Sequence, residues 1–138
     1  MGADTIISIL DAAPWLKDGA YRLVLQCQSR RPELRRWLSD EGYRIEQETL
    51  AKDGKFVYSI MEVTYAPGQC LTPAQCYLSP QLLESGHPLL PEYYQWVKNG
   101  LEMTIFGLNR ANDPKLPEFE TILADLTAME EIIYDYRT

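Results

Sequence analysis

Tyr21-Arg22-Leu23-Val24-Leu25-Gln26 is a short continuous apolar run set between polar residues. Aliphatic side chains at three successive positions would fall on both faces of a strand, which predicts a strand buried on both sides in a parallel sheet. Directly downstream, Ser29 offers a helix cap and Pro32 suits an early helical position. Leu34, Trp37 and Leu38 then recur at i, i+3, i+4, and Gly42 ends the segment. Upstream, Thr5 to Ala13 carries a helical pattern that stops between Pro14 and Gly19. Beyond Gly42, Tyr43 to Leu50 alternates in polarity, Asp53-Gly54 is a hairpin signal, and Phe56 to Tyr65 is rich in aromatic and β-branched residues.

The texture changes after Tyr65. Ala66-Pro67-Gly68 opens a proline-punctuated stretch that predicts a linker over 67–88. Past it, Leu90, Tyr94, Val97, Leu101, Ile105 and Leu108 mark one face of a long helix. Phe119, Ile122, Leu126, Met129 and Ile133 mark a second, and the short link from Asn109 to Pro114 predicts an antiparallel helical hairpin. The expected division is therefore an α/β unit over 1–66, a linker over 67–88 and a coiled-coil-like hairpin over 89–138.

Composition excludes several classes. At 138 residues, 46% hydrophobic and 24% charged, the chain suits one soluble globular domain, with no apolar stretch long enough to span a membrane. No secretory signal precedes the first helix, so the expected location is the cytoplasm. Cys27, Cys70 and Cys76 are odd in number and form no CxxC pair, which predicts buried thiols rather than a disulfide framework. His87 is the only histidine, so metal chemistry and a Ser-His-Asp relay are not expected.

A net charge of −7 would ordinarily count against nucleic acid as a partner, but the charge is unevenly placed. Between Tyr21 and Arg44 six arginines face three acids, whereas from Glu118 to Thr138 six acids face Arg137 alone. Arg30, Arg31, Arg35 and Arg36 form the densest basic cluster. Such a run is either a solvated helix surface or a set of bidentate phosphate contacts. Tyr93, Tyr94 and Trp96 are either core or base-stacking residues.

An ordered set of motifs narrows these options. Met1-Gly2-Ala3-Asp4-Thr5-Ile6-Ile7 resembles the Gly-Met-Gly-Gly segment and Ile-rich helix of the bacterial tRNA adenine-N1-methyltransferases of the TrmK type. Arg22-Leu23-Val24-Leu25-Gln26 is similar to that family's next strand. Leu34-Arg35-Arg36-Trp37-Leu38, Glu41-Gly42-Tyr43, Asp53-Gly54-Lys55-Phe56, Leu71-Thr72 and Ser79-Pro80 follow in the family's order. Ala3 stands where the family has a second glycine, and Cys27 where it has proline.

The resemblance implies the carboxy-terminal half of a class I, Rossmann-like methyltransferase sheet followed by the helical hairpin. It also implies methyl transfer from S-adenosylmethionine to N1 of an adenine in tRNA. Met1, Gly2 and Ala3 would lie beside the transferring methyl, Met1 and Gly2 also touching the cofactor, and the Gln26 amide would read a base edge. The bland alternatives are that Gly2 merely starts a helix and that Gln26 satisfies local backbone. Arg30, Arg31, Arg35 and Arg36 would hold the tRNA backbone. The glycine-rich loop and the acidic residue that grip the cofactor in such sheets are expected outside this sequence. Membrane and DNA are not expected partners. The competing expectation is a non-catalytic dimerising module or tRNA-binding remnant.

Overall fold

The computed structural model describes residues 2–135. Helix α1, Ala3–Asp11, buries Ala3, Ile6 and Leu10, a spacing of three and four that places them on one face. A single 3-10 turn, Pro14–Asp18, follows and ends on Gly19 in the left-handed region at φ 83°.

Strands β1 (Arg22–Gln26), β2 (Tyr43–Asp53) and β3 (Phe56–Tyr65) form one sheet in the order β1-β3-β2. β3 runs antiparallel to both neighbours, so β1 and β2 point the same way and are joined by helix α2, Arg31–Asp40. Within the described residues the expected burial of β1 on both faces is not seen. Among the described residues it is an edge strand paired antiparallel to β3 alone, with Val24 71% exposed and Leu23 and Leu25 half-buried. An apolar run reports which side chains favour burial, not whether another strand lies alongside to cover them.

The β2–β3 hairpin closes through a two-residue turn, since Asp53 pairs with Phe56, and Gly54 takes φ 62° there. Along β2 the register slips by one residue at Glu46, with Ile45 opposite Val63 and Gln47 opposite Glu62. This bulge changes which parity faces inward: Tyr43 and Ile45 are buried before it, Glu48 and Leu50 after it.

Residues 67–88 do not form the expected linker. Helix α3 (Pro73–Tyr77) starts at a Thr72/Gln75 capping box and helix α4 (Pro80–Ser85) at Ser79, and together they bury Ala74, Cys76, Leu78 and Leu82. Pro73 and Pro80, which read as loop punctuation, stand at the first positions of these helices, where their missing N–H costs nothing. Helices α5 (Leu90–Arg110) and α6 (Leu116–Thr127) make the expected antiparallel hairpin. The second predicted helix is divided, its last turn forming α7, Glu130–Asp135. Tyr94 and Lys98, early in α5, reach Glu130 of α7 at 2.7 Å each.

Two apolar clusters result. One gathers α1, α2 and the sheet around Leu34, Leu38, Ile45, Met61 and Val63; the other gathers α3 to α7 around Leu78, Leu82, Tyr94, Leu101 and Leu126. At about 1.5–3 kcal/mol for each buried leucine, isoleucine or methionine, these clusters are the main stabilising term. No helix of the described residues is long and apolar enough to cross a membrane.

Candidate functional site

β1 ends on the exposed Gln26, and the chain then turns through Cys27-Gln28-Ser29-Arg30 into α2. Cys27 is buried and its thiol meets the Ser29 carbonyl at 2.8 Å, which holds the turn tight. Arg30 takes φ 55°, a left-handed conformation uncommon outside glycine and asparagine, and α2 begins with no side-chain cap. Against this turn lies the start of α1. The Ala3 N–H donates to the Ser29 carbonyl at 3.2 Å, and Asp4 accepts two hydrogen bonds from Arg30 at 2.9 and 3.0 Å. Two helix N-termini thus stand side by side just past the end of β1, where partial positive charge accumulates.

Gly2 caps α1 at this junction. A Cβ placed there would lie 2.7 Å from the Ser29 hydroxyl oxygen, so a larger residue must turn that side chain away. The structure therefore brings Gly2 and Ala3 against the turn that follows Gln26. The role expected of Met1 lies outside the described residues.

The arginine cluster does not stay together. Arg30 and Arg36 are exposed, and Arg36 sits 3.9 Å from Asp40. Arg31 is buried against α5, its guanidinium carbon 4.9 Å from the Trp96 ring centre. Arg35 is 0% exposed, and its expected role on the tRNA backbone is corrected. Its guanidinium grips Glu48 at 2.5 and 3.3 Å and donates to the Cys76 and Tyr77 carbonyls and the Tyr93 hydroxyl. Ser59 and Ser79 also donate to Glu48, at 2.5 and 2.8 Å. Burial alone would push the Glu48 carboxyl up; the Arg35 charge and these hydrogen bonds outweigh it and hold the group below the ordinary carboxylate range. Tyr93 and Tyr94 are core, whereas Trp96 is exposed.

Sequence reading missed Glu48, Ser59 and Ser79 as a buried polar set. The available signal was a glutamate in an otherwise alternating strand, but its inward parity appears only once the bulge at Glu46 is known. It also missed the exposed hairpin tip at Lys55 and Phe56, which lies across a cleft from Trp96.

Solved structures define the class. A protein of the NADB-Rossmann superfamily from Streptococcus agalactiae superposes with a TM-score of 0.74 at 23% identity, over 96% of this chain and 56% of that one. A Streptococcus pneumoniae structure described as a tRNA (m1A22) methyltransferase superposes at 0.72 with 25% identity, over 97% of this chain and 59% of its own. These define a Rossmann-like methyltransferase fold. The TrmK family model, described as tRNA (adenine(22)-N(1))-methyltransferase, matches residues 1–128, and the chain belongs to that family. A Mycoplasma pneumoniae protein whose name assigns it to the tRNA methyltransferases is 41% identical over 81 residues, 56% of this chain and 36% of its own length. The chain thus spans between about a third and three-fifths of the relatives it matches.

Proposed function

We propose that this chain forms the target-base side of an S-adenosylmethionine-dependent methyltransferase acting on N1 of an adenine in tRNA. In this reading its three strands are the carboxy-terminal half of a larger class I sheet. The observation that carries the proposal is the open long edge of β1 beside the junction of Gly2, Ala3 and the β1–α2 turn. Aliphatic side chains on both faces and an unpaired edge suit a strand that belongs inside a sheet. The order β1-β3-β2, with β3 inserted antiparallel, suits the end of such a sheet. A Streptococcus pneumoniae relative described as a tRNA (m1A22) methyltransferase has been solved in complex with S-adenosyl-L-methionine, which supports the cofactor.

Apart from Gly2, whose place beside the transferring methyl also brings it to the cofactor, the residues present fit the base. Of the described strand-to-helix turns, the one on this edge, Cys27 to Arg30, contains no glycine, and the nearby acid, Asp4, is engaged by Arg30. Preceding strands would hold S-adenosylmethionine, which when bound supplies a methyl group as a sulfonium. This chain's work is to position the adenine and exclude water. N1 of neutral adenine carries an in-plane lone pair and needs no base to expose it. Gly2 and Ala3 are small enough for a flat base to approach the backbone at the start of α1. The Gln26 amide offers a donor and an acceptor to the base edge. Arg30 and Arg36 remain exposed for phosphate.

Joined to the amino-terminal half of a TrmK relative, the chain is expected to transfer tritiated methyl groups from S-adenosylmethionine to a tRNA transcript. Nuclease digestion and mass spectrometry should then find 1-methyladenosine. Gly2→Val should abolish transfer and leave tRNA affinity in place. Methylation at another atom, or a joined protein that binds both substrates and transfers nothing, would overturn the reading. A second reading, an interaction module, is favoured by Met103 and Phe106, exposed on α5. It predicts a stable dimer with no salt-sensitive affinity for tRNA.

A further inference from the structure

We infer that the cleft between the start of α2, the β2–β3 turn and α5 binds one unpaired nucleotide of the RNA, adjacent to the target adenine; this rests on the tRNA reading above. Arg31, the first residue of α2, turns its side chain onto α5. It is 7% exposed, its guanidinium carbon lies 4.9 Å from the Trp96 ring centre and 5.9 Å from that of Tyr93, and its Nε is buried with no acceptor. Arg35, one turn further on, is satisfied by Glu48, two carbonyls and a hydroxyl. Among the described residues Arg31 has no carboxylate partner. A desolvated guanidinium without an anion is costly, and the group it matches best is a planar or tetrahedral oxyanion such as phosphate.

The surroundings specify the rest of the ligand. Arg31, Tyr93 and Trp96 together line two adjoining lobes of about 440 and 350 Å³, within the range of small-molecule sites. The smaller lobe is walled by Trp96 on α5 and by Phe56 on the hairpin, 60% and 67% exposed. Two large aromatic rings left open to solvent around one cleft are a stacking platform for a base. Lys55 adds a second cation. The one carboxylate on this lobe, Glu92, is matched by Lys52 at 2.9 Å, so the lobe stays positive. α2 also begins here without a side-chain cap.

Position ties this cleft to the reaction. Gln28 lines the smaller lobe, while Ser29, the next residue, carries the hydrogen bond to Ala3 and abuts Gly2. The cleft and the Gly2–Ala3 junction thus share the β1–α2 turn. Base-paired RNA offers no free face for Trp96 and Phe56, so the occupant is unpaired.

The test uses the full chain and fluorescence anisotropy with three probes: a single-stranded RNA oligonucleotide, the same backbone with abasic sites, and an RNA duplex. The single strand should bind best. Trp96→Ala and Phe56→Ser, both at exposed positions, should weaken it about tenfold, the range for one stacked base, and leave duplex affinity unchanged. Arg31→Ala should weaken both the intact and abasic strands, and circular dichroism should show each variant folded. Photocrosslinking of a 5-iodouridine oligonucleotide should mark peptides containing Trp96 or Phe56. Equal affinities for intact and abasic strands, or variants that bind like the parent, would overturn the inference. In that case persisting salt-sensitive binding of whole tRNA would leave the broader reading intact; loss of all tRNA binding by the parent chain would remove both.

Discussion

Arg35 illustrates how far a single residue's role depends on its setting. Four arginines within seven positions read as one basic surface, yet α2 turns about 100° per residue, so Arg31 and Arg35, four apart, share its buried face while Arg36 turns to solvent and Arg30 stands outside the helix as its N-cap. Arg35 therefore points inward and becomes the joint at which α2, the sheet and α5 meet through Glu48, Ser59, Ser79 and Tyr93. Glu48→Gln should destabilise the fold by about 3–5 kcal/mol in urea titrations, because it strands a buried guanidinium. Replacing both partners with apolar residues of similar size should cost much less. The pH dependence has a definite sign. A carboxyl held below its unfolded value stabilises the fold above the ordinary carboxylate range, and that contribution is lost as pH falls through the folded value. Thermal melts should hold from neutral pH to about 5 and fall below about 4. The Glu48→Gln variant should show a shallower acid loss.

At the scale of elements, β2 and β1 carry the informative irregularities. Without the extra residue at Glu46 the strict alternation of β2 would turn Glu48 to solvent and leave Arg35 without its counter-ion. β1 is regular, but its outer edge and Val24 are open. Flat apolar edges invite pairing with other chains, and a lysine on the edge discourages it. Val24→Lys should lower self-association of the isolated chain in sedimentation velocity runs. If the β1 edge receives the rest of a larger sheet, the same change should weaken its complementation by the amino-terminal half of a relative; unaltered complementation would place that half elsewhere.

Over the whole molecule, two apolar clusters are locked by one buried ion pair, and the charge is polarised between the α1–α2 side and the acidic α6 and α7. Lys98 and Tyr94 quench part of that acidity by holding Glu130, whose carboxyl lies below the ordinary range because of those two hydrogen bonds. RNA affinity should accordingly come from the α2 side and fall with salt. Combined Arg30→Ala and Arg36→Ala should flatten the slope of log affinity against log salt by about one to two. An unchanged slope would remove both residues from the phosphate path.

Local pattern was enough for the order and kind of most elements: the α1 periodicity, the Asp53-Gly54 hairpin, the long α5 face and the short link to α6 all act within a few residues. The ordered motifs were likewise enough for the family, because spacing along the chain is itself a sequence property. What the sequence could not decide was which groups meet across long separations. Arg35 and Glu48, 13 positions apart, become partners only through a one-residue bulge, and prolines at 73 and 80 start helices because Leu78 and Leu82 have a core to fill. Arg31 meets Trp96, 65 positions away, because its long side chain reaches from the start of α2 to α5. Burial and pairing are properties of the packed chain, so the residues of the candidate site could be named from sequence while their separate fates were set by the tertiary structure.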